Sequence, residues 1–416
     1  MTNSTRINPK TDFMQRYDTY KPSGVKWIGE IPSHWEVLAL KHILKSKKVI
    51  VGKYSTQYEL LSLTLKGVVK RDMDNPEGKF PASFDTYQAV EPNDFIFCNF
   101  DNEETPRAVG LSPYKGMITG AYDVLSRKNP KLTDKYLIYY FLYIDDAKRF
   151  KPLYKGLRKT VPFDSFMSYK IPVPSIKEQD AIVNYLDTVT AKIDAAIAQQ
   201  QKMIDLLNER KQIIINRAVT KGLNPNAKMK DSGVEWIGEV PEGWEMVPMK
   251  YCMKIKNGMD YKHIQTESGI PVIGSGGQFA YASDYMYDGE VVFFGRKGTV
   301  DRPLYFNGKF WAVDTMFYTI PNNKILGKYL YYQGLTIPYK YYSTSTALPS
   351  MTQTDLGNNP ICLPSIIEQK EIVDYLENIC EKLDFAIANC NRQISLLQER
   401  KQIIINEVVT GKVKVV

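Results

Sequence analysis

Glu209-Arg-Lys-Gln-Ile-Ile-Ile-Asn216 recurs without change as Glu399-Arg-Lys-Gln-Ile-Ile-Ile-Asn406. Eight identical residues in a row do not arise by chance, and internal repetition constrains a fold more than any single motif. Two further stretches repeat. Ser23-Gly-Val-Lys-Trp-Ile-Gly-Glu-Ile-Pro-Ser-His-Trp-Glu36 returns as Ser232-Gly-Val-Glu-Trp-Ile-Gly-Glu-Val-Pro-Glu-Gly-Trp-Glu245, with ten of fourteen positions identical. Ile171-Pro-Val-Pro-Ser-Ile-Lys-Glu-Gln179 returns as Ile361-Cys-Leu-Pro-Ser-Ile-Ile-Glu-Gln369. The chain is therefore two units in tandem, roughly 23–221 and 232–412. The leads are offset by 209 residues and the closing segments by 190, so the first middle stretch is 19 residues longer. The two middles show no convincing match. The frame is kept and the contents differ.

Each unit closes on a long helix. Ser175-Ile-Lys-Glu178 and Ser365-Ile-Ile-Glu368 have the form of capping boxes. Pro174 and Pro364 stand just outside. No proline or glycine follows until Gly222 and Gly411, which suit C-terminal caps. That is ~45 residues of helix, or ~65–70 Å. Ile182, Leu186, Val189, Ile193, Ala196, Met203, Leu207 and Ile214 predict an apolar stripe on the first helix. Ile372, Leu376, Ile379, Leu383, Ala386, Cys390, Leu397 and Ile404 predict the same on the second. Steps of four and three are those of a coiled coil, so each helix needs a partner, and the other copy is the nearest candidate. Arg210-Lys211 and Arg400-Lys401 are better explained as cations complementing a helix C-terminus than as DNA contacts.

The expected fold class is α+β: two mixed α/β domains separated by two long antiparallel coiled-coil helices, in a pseudo-twofold tandem repeat. The expected divisions are a tail over 1–22, a domain over 23–174, a helix over 175–222, a domain over 223–364, a helix over 365–411 and a tail over 412–416. Asp94–Cys98, Glu290–Phe294 and Phe310–Val313 read as short strands. Lys135–Tyr143 and Gly327–Tyr332 read better as helices, their aromatics as core rather than base-stacking platforms.

Composition narrows the function. At 416 residues the chain holds several domains, and 44% hydrophobic with 24% charged residues is globular usage. No apolar run approaches the ~20 residues of a membrane helix. Met1–Tyr20 has no apolar secretory core. Five scattered cysteines without a CxxC fit a reducing cytoplasm better than a disulfide or zinc scaffold. Only His34, His42 and His263 exist, so a mechanism built on several histidines is nearly excluded. The net charge of +8 permits a polyanionic partner. No Pro-Pro occurs, which removes the Asn/Asp-Pro-Pro-aromatic loop of a DNA methyltransferase. No Walker A motif is present. Phe294-Gly-Arg-Lys-Gly298 looks superficially like a cofactor loop, but Thr-Val-Asp-Arg-Pro303 follows rather than a helix. Asp94 and Glu290 are best read as turn carboxylates.

Three clusters remain as candidate DNA contacts. The first is Lys155, Arg158, Lys159 and Thr160, around Gly156. The second is Arg296, Lys297, Thr299 and Arg302, with Gly295 and Gly298. The third is Ser345 and Thr346 within Ser343–Ala347. Cations beside glycine can approach phosphates or a guanine edge closely, and hydroxyls can serve either. A solvated turn would explain each cluster singly. Their placement ahead of the long helices favours contact.

The order of domain, long helix, domain, long helix resembles the specificity subunits of type I restriction-modification enzymes. Trp27-Ile-Gly-Glu-Ile-Pro32, Trp236-Ile-Gly-Glu-Val-Pro241, Trp35, Trp244, Glu178-Gln179, Glu368-Gln369 and the Glu-Arg-Lys-Gln-Ile-Ile segments carry the resemblance. Asp94-Phe-Ile-Phe, Gly110–Ser112, Gly116–Thr119 and Gly156–Lys159 are similar to one class of target-recognition domain. Gly295–Gly298 and Trp311–Asp314 are similar to a second. The chain departs from the first class between Glu103 and Arg107. The resemblance implies a non-catalytic subunit with no cofactor or metal of its own, acting in the prokaryotic cytoplasm on double-stranded DNA. Each domain would read half of a bipartite site, and the helices would set the unread spacer. Two modification subunits would bring S-adenosylmethionine for adenine methylation, and two restriction subunits ATP and magnesium. A nuclease with two DNA-binding arms and a purely structural coiled-coil scaffold are the rival readings.

Overall fold

The computed structural model describes residues 15–25, 28–72, 81–342 and 350–415. Its contacts form two compact units. Unit 1 joins residues 1–199 to 393–416, and unit 2 is 200–392. Each long helix is thus divided near its middle. This grouping differs from the sequence divisions, which set each helix apart. Residues 15–22 and 412–415, set apart as tails, are built into unit 1: Tyr17 is buried, and Lys414 N donates to Gln15 O at 2.8 Å.

In unit 1 a four-stranded antiparallel sheet runs in the order Leu44–Ser46, Asp123–Arg127, Phe95–Phe97, Val109–Leu111. Phe95, Ile96 and Phe97 are all buried, so this short apolar run lies covered on both faces. The helix Asp134–Asp146 lays Tyr136, Leu137, Tyr140, Phe141 and Ile144 into the core, at helical spacing. Its aromatics are core, as expected. Glu36–Ala39 pairs with Lys170–Val173, which ties the Trp-bearing lead to the strand that opens the long helix.

Unit 2 has a larger, seven-stranded mixed sheet. Its order is Met253–Asn257, Met316–Pro321, Tyr287–Gly295, Leu304–Ala312, Ile270–Gly274, Gly277–Ala282, Gln265–Thr266. All neighbours are antiparallel except Ile270–Gly274 against Leu304–Ala312, which is parallel. Both predicted strands of this domain lie in its buried centre. Glu290 accepts from Tyr305 Oη at 2.9 Å and from the amide of Gly327 at 3.2 Å, so it caps the helix Gly327–Gly334. The lead again pairs with the strand before the long helix, Glu245–Pro248 with Pro360–Leu363.

The repeated residues build the same joints in both units. The helices span Ile176–Lys221 and Ile366–Val409. Ser175 Oγ accepts from Glu178 N, and Glu178 Oε2 accepts from Ser175 N at 3.1 Å, completing the capping box. Burial opposes charge on Glu178, yet hydrogen bonds from His34, Trp35 and Ser175 outweigh it and hold the carboxyl below its ordinary pKa. Gln179 is fully buried, accepting from Thr133 N and donating to Lys131 O and Pro174 O. Gln369 does the same with Leu326 N, Lys324 O and Pro364 O. A buried amide left unpaired is costly, and here the carbonyl of each glutamine accepts one hydrogen bond and its amide nitrogen donates two. Gly222 and Gly411 take φ of +70° and +73°, the left-handed cap that favours glycine.

Within unit 1, residues 393–409 run antiparallel to 176–199. Lys401 pairs with Asp194 at 2.7 Å, while Gly411 abuts Pro32 and Trp35, beside Glu178. Within unit 2, Lys211 pairs with Asp384 at 2.7 Å, and Gly222 abuts Trp244. The two ion pairs occupy repeat-equivalent positions. Tyr136 Oη donates to Val409 O, and Tyr329 Oη to Cys362 O and Val219 O. In each unit one repeat's lead and domain close on the helix end of the other. The apolar stripe needs one correction. Ile204 is buried and Met203 is exposed. The buried position lies one residue past the expected one, because a straight 3.6-residue helix drifts against a fixed seven-residue pattern.

Candidate nucleic-acid interface

In unit 1, Lys155, Arg158, Lys159 and Thr160 come together on one hairpin. Lys155 and Thr160 exchange both backbone hydrogen bonds, at 2.9 and 3.0 Å. Gly156 has φ +69° at the turn, and Leu157 stands at the tip, fully exposed. The hairpin is anchored to the loop that follows the central strand. Asp101 N donates to Arg158 O at 2.7 Å, and Val161 N to Asn99 O at 2.7 Å.

That second loop escaped sequence reasoning, and it is acidic. Asp101 takes both Nε and Nη2 of Arg158, and the guanidinium lies 4.9 Å above the Phe100 ring. Glu103 accepts from Lys151 at 2.8 Å and also pairs with Lys159. The hydrogen bond from Arg158 holds the Asp101 carboxyl below its usual range, and those from Lys151 and Lys159 lower Glu103 to about 2. Asp101 and Lys159 have φ of 45° and 44°, and Lys148 behind them 46°. Side-chained residues in this region cost energy and cluster at functional loops. Lys148 Nζ donates to Thr105 O and Asp145, and Arg107 pairs with Asp145 and Asp146. This network fixes the loop from behind. The stretch from Glu103 to Arg107, which departs from the family pattern, marked part of this loop but not Asp101.

In unit 2, Arg296, Lys297 and Thr299 lie on an exposed turn at the end of the strand Tyr287–Gly295, and Arg302 is exposed just beyond. A Cβ on Gly295 would sit 2.2 Å from Thr299 O, and Gly298 has φ +80°. Both glycines serve a tight turn, and the residues that follow it, 299–303, are not helical. Arg296 N donates to Thr315 O, and Met351 N to Arg296 O. The Arg296 guanidinium lies 6.0 Å over Phe317. Among the described residues, no carboxylate pairs with Arg296, Lys297 or Arg302. Ser345 and Thr346, with Trp27 of the first lead, lie outside the described residues. Among the described residues no cluster of His, Cys, Asp or Glu could hold a metal ion. No described helix is long and apolar enough to cross a membrane.

The sequence model of the type I restriction modification DNA specificity domain matches residues 109–204 and 241–394. The chain is 25% identical over 423 residues to a Methanocaldococcus jannaschii protein named as the type I restriction enzyme MjaX specificity subunit, covering 93% of this chain and 96% of that one. It is 24% identical over 336 residues to the type I restriction enzyme MjaVIII specificity subunit of the same organism, covering 72% and 75%. A solved chain from work on complex assembly and conformational transition of the type I R-M system superposes with a TM-score of 0.66 at 14% identity, covering 91% of this chain and 98% of that one.

Proposed function

From the premise that this chain belongs to the type I restriction modification DNA specificity family, we propose that its two basic loops each read one half of a bipartite DNA site. One observation carries the reading. A repeated frame holds two unlike domains, and each domain presents cations on an exposed, backbone-anchored loop. Two different readers on one frame suit an asymmetric target with an unread spacer. Lys155, Arg158, Lys159 and Thr160 serve the first half-site. Arg296, Lys297, Thr299 and Arg302, with Ser345 and Thr346, serve the second. The long helices set the spacer and scaffold the other subunits. Reaction chemistry belongs to those partners: two modification subunits with S-adenosylmethionine, and two motor-nuclease subunits with ATP and magnesium. The complex works on double-stranded DNA in the prokaryotic cytoplasm.

Co-expression with a modification subunit and methylome sequencing tests this. The expected result is methylated adenine in one bipartite motif, with two modification subunits per chain by native mass spectrometry. DNA cleavage or methylation by the isolated chain would replace the reading with that of an enzyme. Absence of any sequence preference in the full complex would leave only a scaffold.

A further inference from the structure

A guanidinium has two edges that can meet a pair of acceptors, Nε with Nη2 and Nη1 with Nη2. Asp101 fills the first edge of Arg158. Nε lies 3.2 Å from each carboxylate oxygen and Nη2 2.6 Å from Oδ2. Nη1 bonds to none of the described residues, and the Arg158 side chain is 67% exposed. Its plane is also set. Phe100 underlies the guanidinium, and Tyr122 lies against Phe100 with ring centroids 5.8 Å apart. Asp101 is held as firmly. Its amide is bonded to Arg158 O, and its carbonyl accepts from Glu104 N, Thr105 N and Thr105 Oγ1.

The chemistry of the pair is not that of a phosphate clamp. Beside Asp101 the net charge of Arg158 is cancelled, so the sequence-independent pull of the backbone is weak. The directional donors of the free edge remain. In the major groove, guanine offers two adjacent acceptors, N7 and O6, and adenine puts a donor where O6 would be. We infer that Asp101 is the positioning residue that turns Arg158 into a guanine reader, presenting the Nη1–Nη2 edge to one base pair of the first half-site. The inference rests on the reading above, in which this hairpin meets DNA.

The test uses the full chain with its modification subunit. Affinity is measured by competition for its methylated site, for each single base-pair change in the first half, and for an unrelated duplex. In the wild type, one position should prefer guanine by about 5-fold to 150-fold, the span of a bidentate contact. Asp101→Asn keeps the shape and removes the charge. It should reduce that preference to a few-fold, tighten binding to the unrelated duplex, and steepen its salt slope by about one. Arg158→Lys should lose the preference with Asp101 intact. Unchanged preferences at the other positions of the first half show that unit 1 is folded in each variant. If Asp101→Asn tightens binding to every duplex alike and every preference survives, Asp101 is only a charge screen and the inference falls. A wild-type complex that binds all duplexes alike overturns instead the reading of the chain as a specificity subunit.

Discussion

The two basic loops hold similar cations in opposite ways. In unit 1 two of the three cations are matched by acids from a neighbouring loop, Arg158 by Asp101 and Lys159 by Glu103. In unit 2 the turn is pinned through its backbone to Thr315 and Met351, and its cations have no acidic partner among the described residues. Paired cations keep direction and lose reach. Unpaired ones keep their full field, which attracts phosphates over roughly a Debye length of ~8–10 Å. The loops therefore differ in what they trade: geometry in the first, electrostatic pull in the second. Backbone hydrogen bonds anchor both loops, and only the first adds side-chain ion pairs among the described residues.

The largest expected effect falls on the frame, where the units should not differ. Trp35→Ala and Trp244→Ala each remove a buried ring packed on a helix-ending glycine, and each should destabilise its unit by about 3–5 kcal/mol. Thermal or denaturant unfolding reads this. Markedly unequal losses would break the equivalence of the frames. Next come the turns. Gly295→Ala drives a Cβ into the Thr299 carbonyl and should cost about 1–3 kcal/mol together with second-half recognition. Gly156→Ala meets no atom and loses only the φ preference, about 1 kcal/mol. Equal losses would show that the first hairpin is as crowded as the second turn. A third contrast is ionic. Arg296→Ala should lower the salt slope of DNA binding by about one. Replacing Arg158 and Asp101 together with Ala should change it little, the pair being neutral. Equal slope changes would erase the distinction drawn between the loops.

The smallest effect is one of pH. Glu103 titrates at about 2 rather than its ordinary 4.5, because Lys151 and Lys159 hold it ionised. A lowered folded-state pKa stabilises above the unfolded value and loses that contribution as pH falls. The Glu103 clamp should therefore persist down to about 4.5 and dissolve between there and about 2. Carboxyl NMR titration of Glu103 reads it. A midpoint near 4.5 would mean that Lys151 and Lys159 leave the carboxylate in solution.

Much of this architecture could be read from residue order alone, because repetition supplied the comparison that a single copy lacks. Identity between copies marked Gln179 and Gln369, Trp35 and Trp244, while the end of each glycine-free run marked Gly222 and Gly411, and each proves to be a joint. The cations of the loops were visible as charges beside glycine. Their acids were not. Asp101 is 57 residues from Arg158 in the chain, and nothing local announces the pair. The drift of the helix stripe from Met203 to Ile204 was hidden for another reason. A periodic pattern tolerates either step until a partner fixes the register.

The division of the helices also has a consequence in time. Unit 2 is one continuous stretch and can close as soon as it is made. Unit 1 needs residues 393–416, which a ribosome delivers only after all of unit 2. At about 5–20 residues per second, that interval is on the order of 10–40 s. Throughout it, the seat that receives Ile405, Val408 and Val409 against Ile182 and Leu186 stays open. The domain born first is finished last, and during that wait its apolar seat is open to chaperones or to the matching helix end of a neighbouring nascent chain.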